Sequence, residues 1–115
     1  MIQHTHMTTY DVWGGANFKA NCNKNFFECF VLLSLLLGST STMYFGQLVT
    51  CNSYRNPALL AKMISTMDII SDGRIGLEID AGWSENAYRT YECDRPSSIE
   101  RIQQLAEALE IIKLM

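Results

Sequence analysis

His4 and His6 stand two residues apart near the start of a 115-residue chain. On an extended strand, residues i and i+2 share a face. Both imidazoles could then ligate one metal ion, as in a metal-dependent hydrolase. Little else completes such a site, because the sequence holds no further histidine and no Asp/Glu cluster at ligand spacing. Cys22, Cys29, Cys51 and Cys93 show neither metal spacing nor the density of a disulfide framework. They read as reduced thiols of a cytoplasmic protein. A single imidazole has another use, since its ordinary pKa near neutrality suits proton donation. The bland alternative is a histidine on a frayed terminus. Thr50, Cys51 and Asn52 gather polar groups at the end of an apolar run. A binding site or plain turn chemistry would put them there, Asn52-Ser53 being a common turn pair. Glu78 and Asp80 place two carboxylates on one face of an extended segment.

The stretch from Gly46 to Trp83 must position most of these groups. Met43 to Thr50 (MYFGQLVT) is short, apolar and partly β-branched, as a buried strand should be. Asn56-Pro57 marks a helix start, with Asn56 as N-cap and Pro57 at the first helical position. Leu60, Met63, Ile64, Met67 and Ile70 recur at helical spacing and predict one buried face. Asp72-Gly73 stops that helix, with Gly73 able to take the left-handed position. Arg74 to Ile79 is a second strand, left through Ala81-Gly82-Trp83. Two strands joined by a helix of this length predict a parallel, neighbouring βαβ pair.

The flanks are less regular. Met7 to Asn25 is polar, with Gly14-Gly15 and several asparagines, and reads as a long loop. Trp13 and Phe18 within it could wall a pocket or pack the loop down. Asn25-x-x-Glu28 resembles a capping box, opening a helix from Phe26 to about Leu37 that is apolar nearly all round. That run falls short of the ~20 residues needed to span a bilayer. Lys19 and Lys24 before it resemble a signal-peptide flank, but Glu28 within it and the long polar lead argue against one. Ser97-x-x-Glu100 after Pro96 is a well-formed capping box. The helix it opens, Ile99 to Met115, carries Ile102, Leu105, Ala106, Leu109, Ile112 and Lys113 at amphipathic spacing.

Taken together, LVTCNSYRNPALLAKM, DIISDGRI and AGW closely resemble the luciferase-like family of flavin- and deazaflavin-dependent oxidoreductases. The likeness is strongest to the archaeal-type branch that uses coenzyme F-420. It runs from about Thr5 to the C-terminus and is densest between Gly46 and Tyr91. The resemblance implies a (β/α)8 TIM barrel of parallel strands, with F-420 or FMN at the strands' C-terminal ends. It also implies a small-molecule substrate. His6 falls on the histidine of a family Asp-His pair, with Thr5 at the aspartate position, and would serve as proton donor. The resemblance places a non-prolyl cis peptide, backing the cofactor ring, between Leu48 and Val49. Such a bond costs about 3–4 kcal/mol, and an incomplete barrel is expected to let it relax to trans. Thr50, Asn52, Ala81, Gly82 and Trp83 would surround the cofactor. Where the family reads Gly-Ile-Gly-Ala-Gly-Trp, this chain has Glu78-Ile79-Asp80-Ala81-Gly82-Trp83. Glycines there admit a phosphate to backbone N–H groups. Asp80 would set a carboxylate beside that dianion, which predicts impaired binding. Glu85 and Tyr88 keep the family's next motif, and Ala87 replaces its second glutamate.

A closed barrel of this class needs roughly 250 residues. Residues 1–115 are therefore expected to be a fragment of such a domain, supplying about three of its eight strands. Hydrophobic residues make up 48% and charged residues 18%, with net charge −3 and no basic cluster, which argues against nucleic acid as a partner. No membrane partner is expected either. An open βα layer should cover its edge with a second copy or a complementary chain. Two alternatives stand beside the oxidoreductase: an inactive remnant or assembly piece without cofactor, and the histidine-based hydrolase fragment.

Overall fold

Residues 27–115 are described in this computed structural model. In chain order they form α1 (Cys29–Ser39), β1 (Phe45–Cys51), a single 3-10 turn (Asn52–Tyr54), α2 (Pro57–Ser71), β2 (Ile75–Asp80), α3 (Glu85–Thr90) and α4 (Ser98–Leu114). The expectations for His4, His6, Trp13, Phe18, Cys22 and Asn25 lie outside the described residues.

β1 and β2 pair in parallel, from Phe45↔Ile75 to Cys51↔Asp80, with α2 as the connection. The βαβ unit predicted from the spacing is the one observed. Between Gln47↔Leu77 and Thr50↔Ile79 the register shifts, so that Leu48 and Val49 together oppose Glu78. The Leu48–Val49 peptide is cis. This differs from the expected trans bond, in a bulge that paired residues bracket on both sides.

The pairing sorts the strands into two faces. Phe45, Gln47 and Thr50 pair with Ile75, Leu77 and Ile79, and Phe45, Ile75, Leu77 and Ile79 belong to the apolar core. The core's buried centre is Cys29, Phe30, Leu33, Leu37, Phe45, Leu60 and Met67, contributed by α1, β1 and α2. On the opposite face Gly46, Leu48, Gly76 and Glu78 are exposed.

Local chemistry explains the helices. The Asn56 carboxamide oxygen accepts from the N–H groups of Ala58 (2.9 Å) and Leu59 (3.3 Å), as an N-cap should. In α2, Leu60 and Met67 are buried and Met63 and Ile64 half-buried, but Ile70 is exposed and Ser71 takes the inner position. The line 60–64–67–71 is the straighter helical stripe, leaving Ile70 at its rim. The stop uses two left-handed residues, Asp72 (φ 55°) and Gly73 (φ 78°), and the Gly73 N–H returns to the Asp68 carbonyl at 3.0 Å.

Two helices differ from expectation. α1 begins at Cys29, and its N-cap is Glu28, whose carboxylate accepts from the Val31 N–H at 2.8 Å. Glu28 also pairs with Arg55. Its carboxylate is therefore engaged forward, so the helix begins three residues later than with an Asn25 cap. In α4 the Ser97–Glu100 capping box is present, but the inner stripe is Arg101, Leu105, Ala108 and Ile112. Ile102 and Ala106 are exposed instead. The helix is turned so that the Arg101 guanidinium reaches backbone carbonyls.

Arg74 ties the ends of three elements together. Its guanidinium donates to the carbonyls of Ser71 (2.7 Å), Met43 (2.8 Å), Thr40 (2.9 Å) and Leu37 (3.0 Å), and to the Thr40 hydroxyl (3.2 Å). Leu37 and Thr40 lie at the C-terminal end of α1, where carbonyls lack helical partners.

Candidate functional site

Because β1 and β2 are parallel, their C-terminal ends emerge side by side, with Cys51 opposite Asp80. The segments that follow, Asn52–Tyr54 and Ala81–Trp83, therefore lie at one edge of the sheet. This edge is where parallel α/β layers carry their ligands.

Tyr88, on α3, knits the two strand ends together. Its side chain is 1% exposed. The phenol hydroxyl donates to the Ala81 carbonyl at 3.3 Å, lies 2.7 Å from the Ser53 hydroxyl and approaches the Cys51 thiol at 3.7 Å. Tyr54 packs edge-on against Tyr88 and tilted against Tyr91, with ring centroids 5.5 and 5.4 Å apart. Burial pushes the Tyr54 phenol far above its ordinary value, with the Cys51 thiol adding to the effect. Burial also raises Tyr88, where the hydrogen bond with Ser53 opposes the shift, and it raises Tyr91. All three remain protonated at neutral pH, so Tyr88 acts as a neutral donor.

The turn after β2 is closed on three sides. Asp80 Oδ1 accepts from the Gly82 N–H at 2.9 Å. Arg101 Nε, reaching over from α4, donates to the Gly82 carbonyl at 3.1 Å. Its other donors go to the Pro96 carbonyl (2.8 Å) and the Ser98 hydroxyl (3.3 Å). Gly82 itself has φ 77°, and a Cβ there would sit 2.4 Å from the Tyr88 hydroxyl and 2.6 Å from the Cys51 sulfur. Only glycine fits.

The expected site residues fall on different sides of the sheet. Leu48 is exposed beside Gly46 and Gly76, on the open face. Gly46 and Gly76 leave that face flat, and a Cβ on Gly46 would come within 3.2 Å of the Gly76 carbonyl. Val49 is half-buried in the bulge. Ala81 and Gly82 form the β2 turn, and Trp83 is exposed at its end. Thr50 is fully buried and lies on the core-facing side, with its hydroxyl unpartnered. The carboxamide oxygens of Asn52 and Gln47 are buried and unpartnered as well. Among the described residues no group of three His, Cys, Asp or Glu could hold a metal ion.

Tyr88 was visible in the sequence only as a motif residue, and Arg101 and Ser53 were missed as parts of the site. Arg101 carried one signal, as a cation on the apolar stripe one turn into a capped helix.

A parallel βα layer with polar groups gathered at its strand ends defines a mixed α/β protein, part of a (β/α)8 barrel. The sequence matches the family model for luciferase-like monooxygenases over residues 5–115, and the chain belongs to that family. Among solved structures it is similar to the EDTA monooxygenase (EmoA) from Chelativorans sp. BNC1, with TM-score 0.70 and 21% identity over 77% of this chain. The match spans 21% of the length of that protein. None of the curated proteins compared with the chain matches it.

Proposed function

We propose that this chain forms the cofactor-facing part of an oxidoreductase of the luciferase-like type. A reduced deazaflavin (F-420) or FMN would serve hydride transfer to, or monooxygenation of, a small-molecule substrate. The observation that carries this reading is the open sheet face. Gly46, Gly76 and exposed Leu48 make a flat surface below the paired strand ends, bordered on β2 by the exposed Glu78. A planar ring fits such a surface. The bound ring would supply the redox chemistry. Leu48 and Val49 would back it, and Trp83 would border it. The Thr50 side chain faces the core, so its contact would fall to backbone atoms, whereas Asn52 would offer its carboxamide. His6, outside the described residues, is the proposed proton donor. The proposal extends to residues 1–115 as one piece of a barrel domain acting in the cytoplasm. Among the described residues no helix is long and apolar enough to cross a membrane.

Titration of the chain with F-420, FMN and riboflavin, followed by ring fluorescence, tests the proposal. Saturable quenching by at least one of them is the expected result. Absence of binding by all three would favour the second reading, an inactive remnant. One observation favours that reading already: Asp80 occupies the Gly82 amide that a cofactor phosphate would need.

A further inference from the structure

The turn after β2 carries a glycine at positive φ just past the strand end, a feature that anion-binding turns share. Several of its polar groups are nevertheless engaged within the chain. The Gly82 N–H goes to Asp80 Oδ1 and the Gly82 carbonyl accepts from Arg101. The Ala81 carbonyl accepts from Tyr88. Asp80 alternates with Glu78 along β2, so two carboxylates stand on the side of the strand opposite the core-packed Leu77 and Ile79. The positive charge at the turn, Arg101, is buried and held by Gly82, Pro96 and Ser98. Arg95 donates to the Trp83 carbonyl at 3.4 Å and lies 3.8 Å from Glu85. A phosphate would have to displace the Asp80 carboxylate to reach the Gly82 amide.

Resting on the reading of the open face as a ring site, we propose that the β2 turn selects against an anionic tail. The preferred ligand is an uncharged flavin whose polyol hydroxyls donate to Asp80 or Glu78, not its phosphate ester. A hydroxyl is a donor that a carboxylate can accept from, whereas a phosphate dianion offers only acceptors and like charge. Selectivity then comes from repulsion built against the wrong ligand as much as from contacts to the right one.

The experiment compares riboflavin with FMN, which share a ring and differ in one phosphate. Dissociation constants would be measured by quenching of ring fluorescence for the unaltered chain, Asp80→Asn and Asp80→Gly. Circular dichroism would confirm that each variant is folded. Asp80→Asn keeps an oxygen for the Gly82 N–H and removes the charge, whereas Asp80→Gly also frees the amide. The expected result is that the unaltered chain binds riboflavin at least as tightly as FMN. FMN binding should strengthen several-fold in Asp80→Asn and by more than about tenfold in Asp80→Gly, a shift above ~1.4 kcal/mol. Riboflavin binding should change little in Asp80→Asn, whose carboxamide oxygen still accepts a hydroxyl, and weaken in Asp80→Gly, which removes that acceptor. Tenfold tighter binding of FMN than riboflavin by the unaltered chain would overturn the inference and leave the proposed function standing. So would an FMN-to-riboflavin ratio that neither variant moves. Failure of both ligands to bind would overturn the inference together with the ring site it rests on.

Discussion

Gly82 concentrates the constraints of the strand-end edge in one residue. Its φ of 77° disfavours any side chain, and a Cβ would also fall 2.4 Å from the Tyr88 hydroxyl and 2.6 Å from Cys51 Sγ. Gly82→Ala therefore combines a left-handed backbone penalty with overpacking, and should destabilise the chain by roughly 2–4 kcal/mol. Urea unfolding of Gly82→Ala beside Ala81→Gly checks this, since only the first adds an atom to the crowded contact. Tyr54 leads to a pH dependence. Its folded-state pKa is raised by burial, so the folded chain holds the phenolic proton more tightly than the unfolded chain. The associated stability is complete below the ordinary tyrosine value near pH 10 and declines as pH rises from there toward the folded value. Tyr54→Phe should make the alkaline fall in the urea midpoint shallower, leaving Tyr88 and Tyr91 to supply the remainder. An unchanged alkaline slope would show that Tyr54 ionises as readily in the folded chain as in the unfolded one.

Among the elements, those whose ends carry their own local chemistry were legible in the sequence. Asn56-Pro57 and Ser97-x-x-Glu100 cap their helices with contacts two or three residues away, so the residues that form the cap also announce it. The βαβ unit followed from the lengths and spacing of its parts. Elements fixed by distant partners were not legible. Glu28 caps α1 while paired with Arg55, and α4 is rotated by the reach of Arg101 to Gly82 across 19 residues. No local pattern encodes either. Ala81-Gly82-Trp83 leaves β2 where the strand pattern put it. The side of the strand that Thr50 occupies depends on the bulge, which shifts the alternation by one residue. Arg74 is the extreme case of a residue with no periodic signal, donating to α1, the α1–β1 connection and α2. Arg74→Met should leave several of those carbonyls without donors and cost on the order of 3 kcal/mol. Arg74→Lys should recover part of that loss, because an ammonium has fewer donors and no planar fork. Chemical unfolding of the two variants gives the order directly, and equal stability of both with the unaltered chain would mean water replaces the guanidinium freely.

For the whole molecule, the distribution of apolar side chains matters more than any single contact. The described residues form a two-stranded sheet with helices packed against its core face. The match to the EDTA monooxygenase covers 77% of this chain and 21% of the length of that protein. In α1, Phe30, Leu33 and Leu37 are buried, whereas Val31 and Leu35 on the other side are 69% and 68% exposed. Ile69 and Ile70 of α2 and Ile99 and Ile102 of α4 are exposed as well. Contiguous exposed apolar surface promotes association and binds apolar dyes. The 115-residue chain should therefore sediment as a concentration-dependent mixture and enhance the fluorescence of an anilinonaphthalene dye. Val31→Glu with Leu35→Lys removes apolar area from α1 and sets opposite charges four residues apart, an arrangement that supports a helix. Neither side chain belongs to the core, so the circular dichroism spectrum should be unchanged while dye binding and the associated fraction both fall. Loss of helical signal in that double variant would instead show that α1 is held in place by contacts on its outer face.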